Sequence, residues 1–215
     1  MIERLEKALI LLGMFIRGGF YITDKNKGRA SGKTMLLIGN AGSQMFDVMQ
    51  TEACNDTHPM DRWTEEKLTK LALMLKADVL FPFGDPPWHP FQQWAGLAEE
   101  VYPSPIQMLI HPEYGLWHAY RAAFVFDEKL ELPAPTLSVH PCDGCARPCR
   151  EACPVNAFTD AGFDIDACAT HIQTKAGIDC RQNGCLARRA CPVGVDYKYH
   201  PAHATFHMEA FIKAR

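Results

Sequence analysis

The stretch Cys142-Asp-Gly-Cys145-Ala-Arg-Pro-Cys149-Arg-Glu-Ala-Cys153-Pro154 decides how the chain is read, because it sets four thiols at gaps of two, three and three residues. A second group follows at Cys168, Cys180, Cys185 and Cys191-Pro192. The two groups end alike, Arg150-Glu-Ala-Cys-Pro-Val155 against Arg188-Arg-Ala-Cys-Pro-Val193, so they read as halves of one pseudo-symmetric module. Of nine cysteines in 215 residues, only Cys54 lies outside it. Crowding of this kind points to metal binding rather than to disulfides. Cys54 reads as a small buried apolar residue.

Short gaps between thiolates wrap a chain round one corner of an inorganic cubane, with backbone amides turned toward its sulfides. The spacing resembles the C-x2-C-x2-C-x3-C-P run of bacterial ferredoxins, with one more residue between the second and third cysteines. In that run the fourth cysteine reaches across to the other cluster. The same crossover assigns Cys142, Cys145, Cys149 and Cys191 to one 4Fe–4S cluster, and Cys153, Cys168, Cys180 and Cys185 to a second. A pair of structural zinc sites is the rival, since zinc also accepts four thiolates. The prolines after Cys153 and Cys191 and the interleaved order favour iron–sulfur.

Outward from the module, a short tail (201–215) carries Phe206, Met208, Phe211 and Ile212, enough apolar surface to dock as a helix. His203 and His207 have i, i+4 spacing, but a metal needs a third ligand and none is near in sequence. On the N-terminal side, Leu132-Pro-Ala-Pro-Thr136 reads as a connector. Before it, Ile2, Leu5, Leu9, Leu12 and Ile16 form one helical stripe. Thr34–Ile38 reads as a buried strand closed by Gly39-Asn40-Ala41-Gly42, then a helix over 44–50 and another over 64–76. Strands are expected over 77–83, 106–110 and 116–126, with a helix over 91–101 after the rigid loop Pro86–Pro90. A turn spans His111-Pro-Glu-Tyr-Gly115. Gly28-Arg-Ala-Ser-Gly32-Lys33-Thr34 is not a phosphate loop: three residues separate its glycines where four are required, and it precedes a strand. The mixture implies a layered α+β domain with one sheet.

Hydrophobic residues make up 47 % of the chain and charged ones 22 %, with a net charge of −3. No basic run suggests nucleic acid or a membrane surface. No stretch reaches the ~20 apolar residues of a membrane span. Ala8–Ile16 has no net positive flank and no cleavage site, so the expected location is the cytoplasm.

The run Ile110-His111-Pro112-Glu-Tyr-Gly115-Leu-Trp117-His-Ala-Tyr-Arg121, with Met45-Phe46-Asp47 and His58-Pro59-Met60-Asp61 upstream, resembles the cobalamin-processing CblC family over roughly residues 34–126. The cysteine module is similar to that of epoxyqueuosine reductases, a plan shared with corrinoid reductive dehalogenases. These resemblances imply a nitroreductase-like domain over 1–135 and a ferredoxin-like module with two 4Fe–4S clusters over 136–200. They also imply that the clusters feed electrons to cobalamin, or in second place a flavin, as in a corrinoid-dependent oxidoreductase with a redox partner protein. His111, Gly115, Trp117 and Arg121 are the implied cofactor contacts. His111 can equally be a turn histidine bonding the backbone, and Arg121 can pair with Glu113 or Asp127. Trp88, Phe91, Trp94 and Trp117 can wall a flat cofactor or fill the core. A plain electron carrier, with the N-terminal domain as a docking platform, is the alternative function.

Overall fold

The computed structural model describes residues 2–28, 30–52, 56–133 and 138–214. Cys54 and the Ala134–Thr136 part of the connector lie outside them. The chain divides into two units, Met1–Glu100 with His118–Leu137, and Val101–Trp117 with Ser138–Arg215.

In chain order, α1 (Ile2–Leu11) leads to β1 (Phe15–Tyr21), β2 (Thr34–Ala41), α2 (Gln44–Gln50), α3 (Pro59–Leu75), β3 (Asp78–Leu80) and α4 (Phe91–Ala98). Two short strands of the second unit follow, β4 (Tyr102–Pro103) and β5 (Leu109–Ile110), and then β6 (His118–Phe126) of the first. The remainder is α5 (Pro148–Glu151), β7 (Phe158–Thr159), β8 (Gly162–Phe163), α6 (Ile165–Ile172), α7 (Ile178–Asn183) and α8 (Leu186–Arg189). A 3-10 turn (Val195–Tyr197) and α9 (Pro201–Lys213) complete it. Among the described residues, no helix is long and apolar enough to cross a membrane.

The first unit is built on one antiparallel sheet in the order β1-β2-β6-β3. Every residue of β2 from Thr34 to Asn40 is buried, which is why this strand reads as an unbroken apolar run rather than an alternation. It runs on through Gly39 and Asn40, where a closing turn was expected. A Cβ on Gly39 would lie 2.2 Å from the Ala119 carbonyl oxygen, so this glycine lets β6 pair closely instead of turning the chain. The N-terminal stripe is also corrected. Helix α1 stops at Leu11, where Leu12 and Gly13 donate back to the Leu9 and Ile10 carbonyls, and Ile16 enters β1 to pair with Ile38. Once β2 is a core strand, its open edge offers the 15–21 segment a full ladder of hydrogen bonds.

Two bulges decide where charge enters this sheet. The β1–β2 register slips between Ile16 and Gly18, leaving Arg17 as the extra residue. The β2–β6 register slips between Ile38 and Gly39, opposite Ala122 and Tyr120, leaving Arg121 as the extra residue. A bulge re-aims the side chain it carries. Both guanidinium groups are buried and both reach Asn40: Arg17 Nη1 donates to its carbonyl oxygen at 3.5 Å, and Arg121 Nε to its Oδ1 at 2.9 Å. Arg17 Nη2 also pairs with Glu99 at 2.9 Å, and Tyr120 Oη donates to Glu99 at 2.5 Å. Burial raises the Glu99 carboxyl above its usual range, against the pull of Arg17.

In the second unit, Ile106, Ile110 and Leu116 form one core with Cys149, Cys153, Ala157, Ala187 and Cys191. Helix α9 is tied to α7 by Arg181–Glu209 at 2.6 Å and by Thr205 Oγ1 donating to the Gln182 carbonyl at 2.7 Å.

Glu99→Ala is expected to destabilise the protein by about 3–5 kcal/mol, because it strands the buried Arg17 charge without its carboxylate. Denaturant unfolding of the full chain measures it, and a loss under 1 kcal/mol would mean that Arg17 finds compensation elsewhere.

Candidate metal centre

The eight clustered thiols fall into two cavities of the second unit. Cys142, Cys145, Cys149 and Cys191 line one, together with Ser104, Pro105, Ile110 and Leu116. Cys153, Cys168, Cys180 and Cys185 line the other, together with Val155, Phe158, His171 and Met208. Each copy of the repeated Arg-x-Ala-Cys-Pro-Val segment follows one short helix, α5 or α8, and sends its cysteine into the opposite set.

The electrostatics divide the thiols in the same way. Burial pushes the Cys142 thiol up, and Cys191, Cys145 and Cys149 push it further. Burial raises Cys168 to about 11, with contributions from Cys185, Cys153 and Cys180. Four thiols so placed resist ionising together unless a cation arrives to take the charge. Backbone amides already face the sulfurs: Ala157 N–H donates to Cys153 Sγ at 3.3 Å, and Arg147 N–H to Cys145 Sγ at 3.4 Å. Four thiols lining one cavity make a donor set for a group that takes four thiolates, as a single zinc ion or a 4Fe–4S cubane does.

The residues expected to touch an organic cofactor separate. His111, Gly115 and Trp117 belong to the second unit and Arg121 to the first. His111 Nδ1 accepts from the Glu113 and Tyr114 amides at 3.1 and 3.2 Å, and its ring stacks on Tyr114 with centroids 4.3 Å apart. This is the backbone-bonding turn histidine. Gly115 (φ +57°) has the Val193 carbonyl oxygen 2.0 Å from where a Cβ would stand, and Gly194 (φ +70°) meets Tyr114 in the same way. Trp117 is buried, with the Arg188 guanidinium 4.3 Å from its ring centroid and 4.4 Å from that of Tyr199. Arg188 also donates to the Leu116 carbonyl oxygen through Nε at 3.1 Å and Nη2 at 2.6 Å. Glu113 accepts from Tyr197 Oη at 2.5 Å, and Arg121 bonds Asn40. Asp61 lies in electrostatic reach of Arg121, which lowers its carboxyl less than burial raises it. Trp94 and Phe91 are core residues, while Trp88 is exposed. His203 and His207 approach at 3.0 Å between their Nε2 atoms, and His203 stacks on Tyr199.

Sequence reasoning missed Ser104, His171 and Arg188. The repeat that aligns Arg150 with Arg188 held a signal for the last, although the two copies differ in use: Arg150 meets Asp160 on the surface.

No family model matches the sequence, and no curated protein matches it. Among solved structures, the fold is similar to that of epoxyqueuosine reductase from Streptococcus thermophilus, with a TM-score of 0.53 and 14 % identity over 89 % of this chain and 65 % of that one. It is similar to an epoxyqueuosine reductase solved with an epoxyqueuosine-modified tRNA-Tyr stem loop, with a TM-score of 0.51 and 17 % identity over 92 % and 66 %. It is also similar to the C. elegans B12-trafficking protein CblC, with a TM-score of 0.56 and 15 % identity over 98 % and 94 %. The chain spans just under two thirds of those two epoxyqueuosine reductases. At these identities the likeness is one of fold, a mixed α/β arrangement with small sheets, and it agrees with the two families that the motifs resemble.

Two outcomes are expected of substitutions here. Gly115→Ala forces a left-handed alanine against the Val193 carbonyl oxygen, a cost of at least about 1–2 kcal/mol for the backbone alone. A fall in the thermal midpoint of the full chain checks it. Cys153→Ala and Cys191→Ala each remove a thiol that crosses between halves, so either is expected to lower iron content at both cavities, read by iron analysis after anaerobic purification. Loss confined to one cavity would refute that coupling.

Proposed function

We propose that this chain is an iron–sulfur redox protein that holds two 4Fe–4S clusters in its second unit and passes their electrons to a corrinoid held by the first. The observation that carries the reading is the sorting of eight thiols into two cavities of four, with Cys153 and Cys191 exchanged between the halves. The donor set fits the group: Cys142, Cys145, Cys149 and Cys191 would ligate one cluster, and Cys153, Cys168, Cys180 and Cys185 the other. Such centres supply single electrons at low potential. The chain's own residues keep water away with Ile110, Leu116, Val155 and Phe158, and turn amide N–H groups toward the sulfurs.

The corrinoid is supported by the fold likeness to a B12-trafficking protein and by the motif resemblance, of which Arg121 is the residue that lies in the first unit. A flavin is the second choice of cofactor. Of the four motif residues, Arg121 offers the first unit a buried cation for the ligand. On this reading the protein is a corrinoid-dependent oxidoreductase that takes electrons from a partner protein. A plain electron carrier is the alternative.

Anaerobically purified protein is expected to hold about eight iron and eight acid-labile sulfide per chain, as two such clusters require. Stoichiometric zinc without sulfide would overturn the cluster reading. Added cobalamin is then expected to change its visible spectrum as an axial ligand is lost or exchanged. Arg121→Ala should weaken binding by roughly 1–3 kcal/mol with the cluster spectrum unchanged. If fully clustered protein binds neither cobalamin nor flavin, the electron-carrier reading takes its place.

A further inference from the structure

Buried polar side-chain atoms in folded proteins are almost always hydrogen-bonded, so the exceptions call for a ligand. Two exceptions line the cysteine cavities, one in each. Ser104 Oγ is buried without a partner at the cavity of Cys142, Cys145, Cys149 and Cys191. His171 Nε2 is buried without a partner at the cavity of Cys153, Cys168, Cys180 and Cys185. Thr64 Oγ1 and the indole nitrogens of Trp63 and Trp117 are also buried and unpartnered, but none of them lines a cysteine cavity.

We propose that Ser104 and His171 each donate a hydrogen bond to a sulfur of the cluster in its own cavity, and so raise the reduction potential of that cluster and not of the other. The inference rests on the two-cluster reading above. Backbone bonds hold both residues where they stand. The Ser104 amide donates to the Met108 carbonyl at 2.9 Å, and the Ser104 carbonyl accepts from Gln107 at 2.9 Å. His171 sits in the last turn of α6, one turn after Cys168, and its carbonyl accepts from Thr174 Oγ1 at 2.8 Å.

The chemistry of the two atoms suits one kind of acceptor. A hydroxyl and an imidazole Nε2–H both donate, whereas cluster sulfides and thiolates only accept. A bridging water is a poor substitute, because it needs two to four polar partners and, Arg147 apart, the other residues lining the two cavities are prolines, aliphatic residues, Phe158, Met208 and cysteines. All eight cysteines are already used as ligands, so neither Ser104 nor His171 is needed as one. They act on the cluster through its sulfurs. A donor there stabilises the more negative, reduced state, which moves the potential upward.

The test uses the full-length chain loaded anaerobically with iron and sulfide and titrated with dithionite, each one-electron couple being followed by electron paramagnetic resonance. Cys145→Ser and Cys168→Ser, which alter one centre each, assign the two couples. Ser104→Ala is expected to shift the Cys145 couple to more negative potential and leave the other in place. His171→Leu is expected to do the reverse, and His171→Gln, which retains an N–H donor, to recover most of the shift. Couples that stay unmoved at full iron and sulfide content overturn the inference, as does a Ser104→Ala shift in the Cys168 couple. Loss of iron in His171→Leu that His171→Gln fails to repair overturns it too, since it would make the residue structural. Wild-type protein that takes up no sulfide fails the cluster reading itself, a result distinct from full clusters with unmoved potentials.

Discussion

Everything in the second unit follows from one constraint: Cys153 and Cys191 must each leave their own run and complete the opposite set of four. Helices α5 and α8 end at Glu151 and Arg189, and Pro154 and Pro192 directly after the two cysteines keep the chain from resuming them. Neither half can close a four-thiol cavity by itself, so the segment from Cys142 to Cys191 has to fold as one body. Burial and the neighbouring thiols raise Cys142 and Cys168 together, so the members of each set feel one another's charge.

The same constraint explains residues 101–117, which pack with the cysteine module and not with the sheet that β6 joins. Ile106, Ile110 and Leu116 join the core that holds Cys149, Cys153 and Cys191, and Gly115 and Gly194 allow two backbones to touch where any side chain would hold them apart. Arg188 then fixes the end of the segment by donating to the Leu116 carbonyl while its guanidinium lies over the rings of Trp117 and Tyr199. Gly115 and Trp117 therefore each pack within the second unit. The bonds of His111 Nδ1 to the turn amides have the same character.

What was legible in the sequence was whatever rests on local chemistry. The cysteine spacing and repeat divide the thiols into the same two sets that line the two cavities, because close spacing acts over a few residues at a time. Helix α2 over Gln44–Gln50 was legible from its apolar spacing, and the core of β2 from its unbroken apolar run. Strand β1 was not, since Phe15–Tyr21 carries Arg17 and two glycines, and only pairing with β2 makes it a strand. The expected strand over 77–83 shrinks to Asp78–Leu80, for β6 offers it only the partners from Ala123 to Val125. Ser104 and His171 carried no signal at all, because a lone serine or histidine acquires meaning only when a cavity closes over it.

Arg17 and Arg121 are two charges buried in the sheet of the first unit. Each interrupts an apolar strand, and a sheet interior tolerates a guanidinium only where a bulge turns it toward compensating groups. Asn40 serves both of them at once, which locks the two bulges together across β2. Arg121 gives its Nε to Asn40 and lowers the Asp61 carboxyl less than burial raises it, so the second guanidinium is held in the sheet by the same kind of compensation as the first.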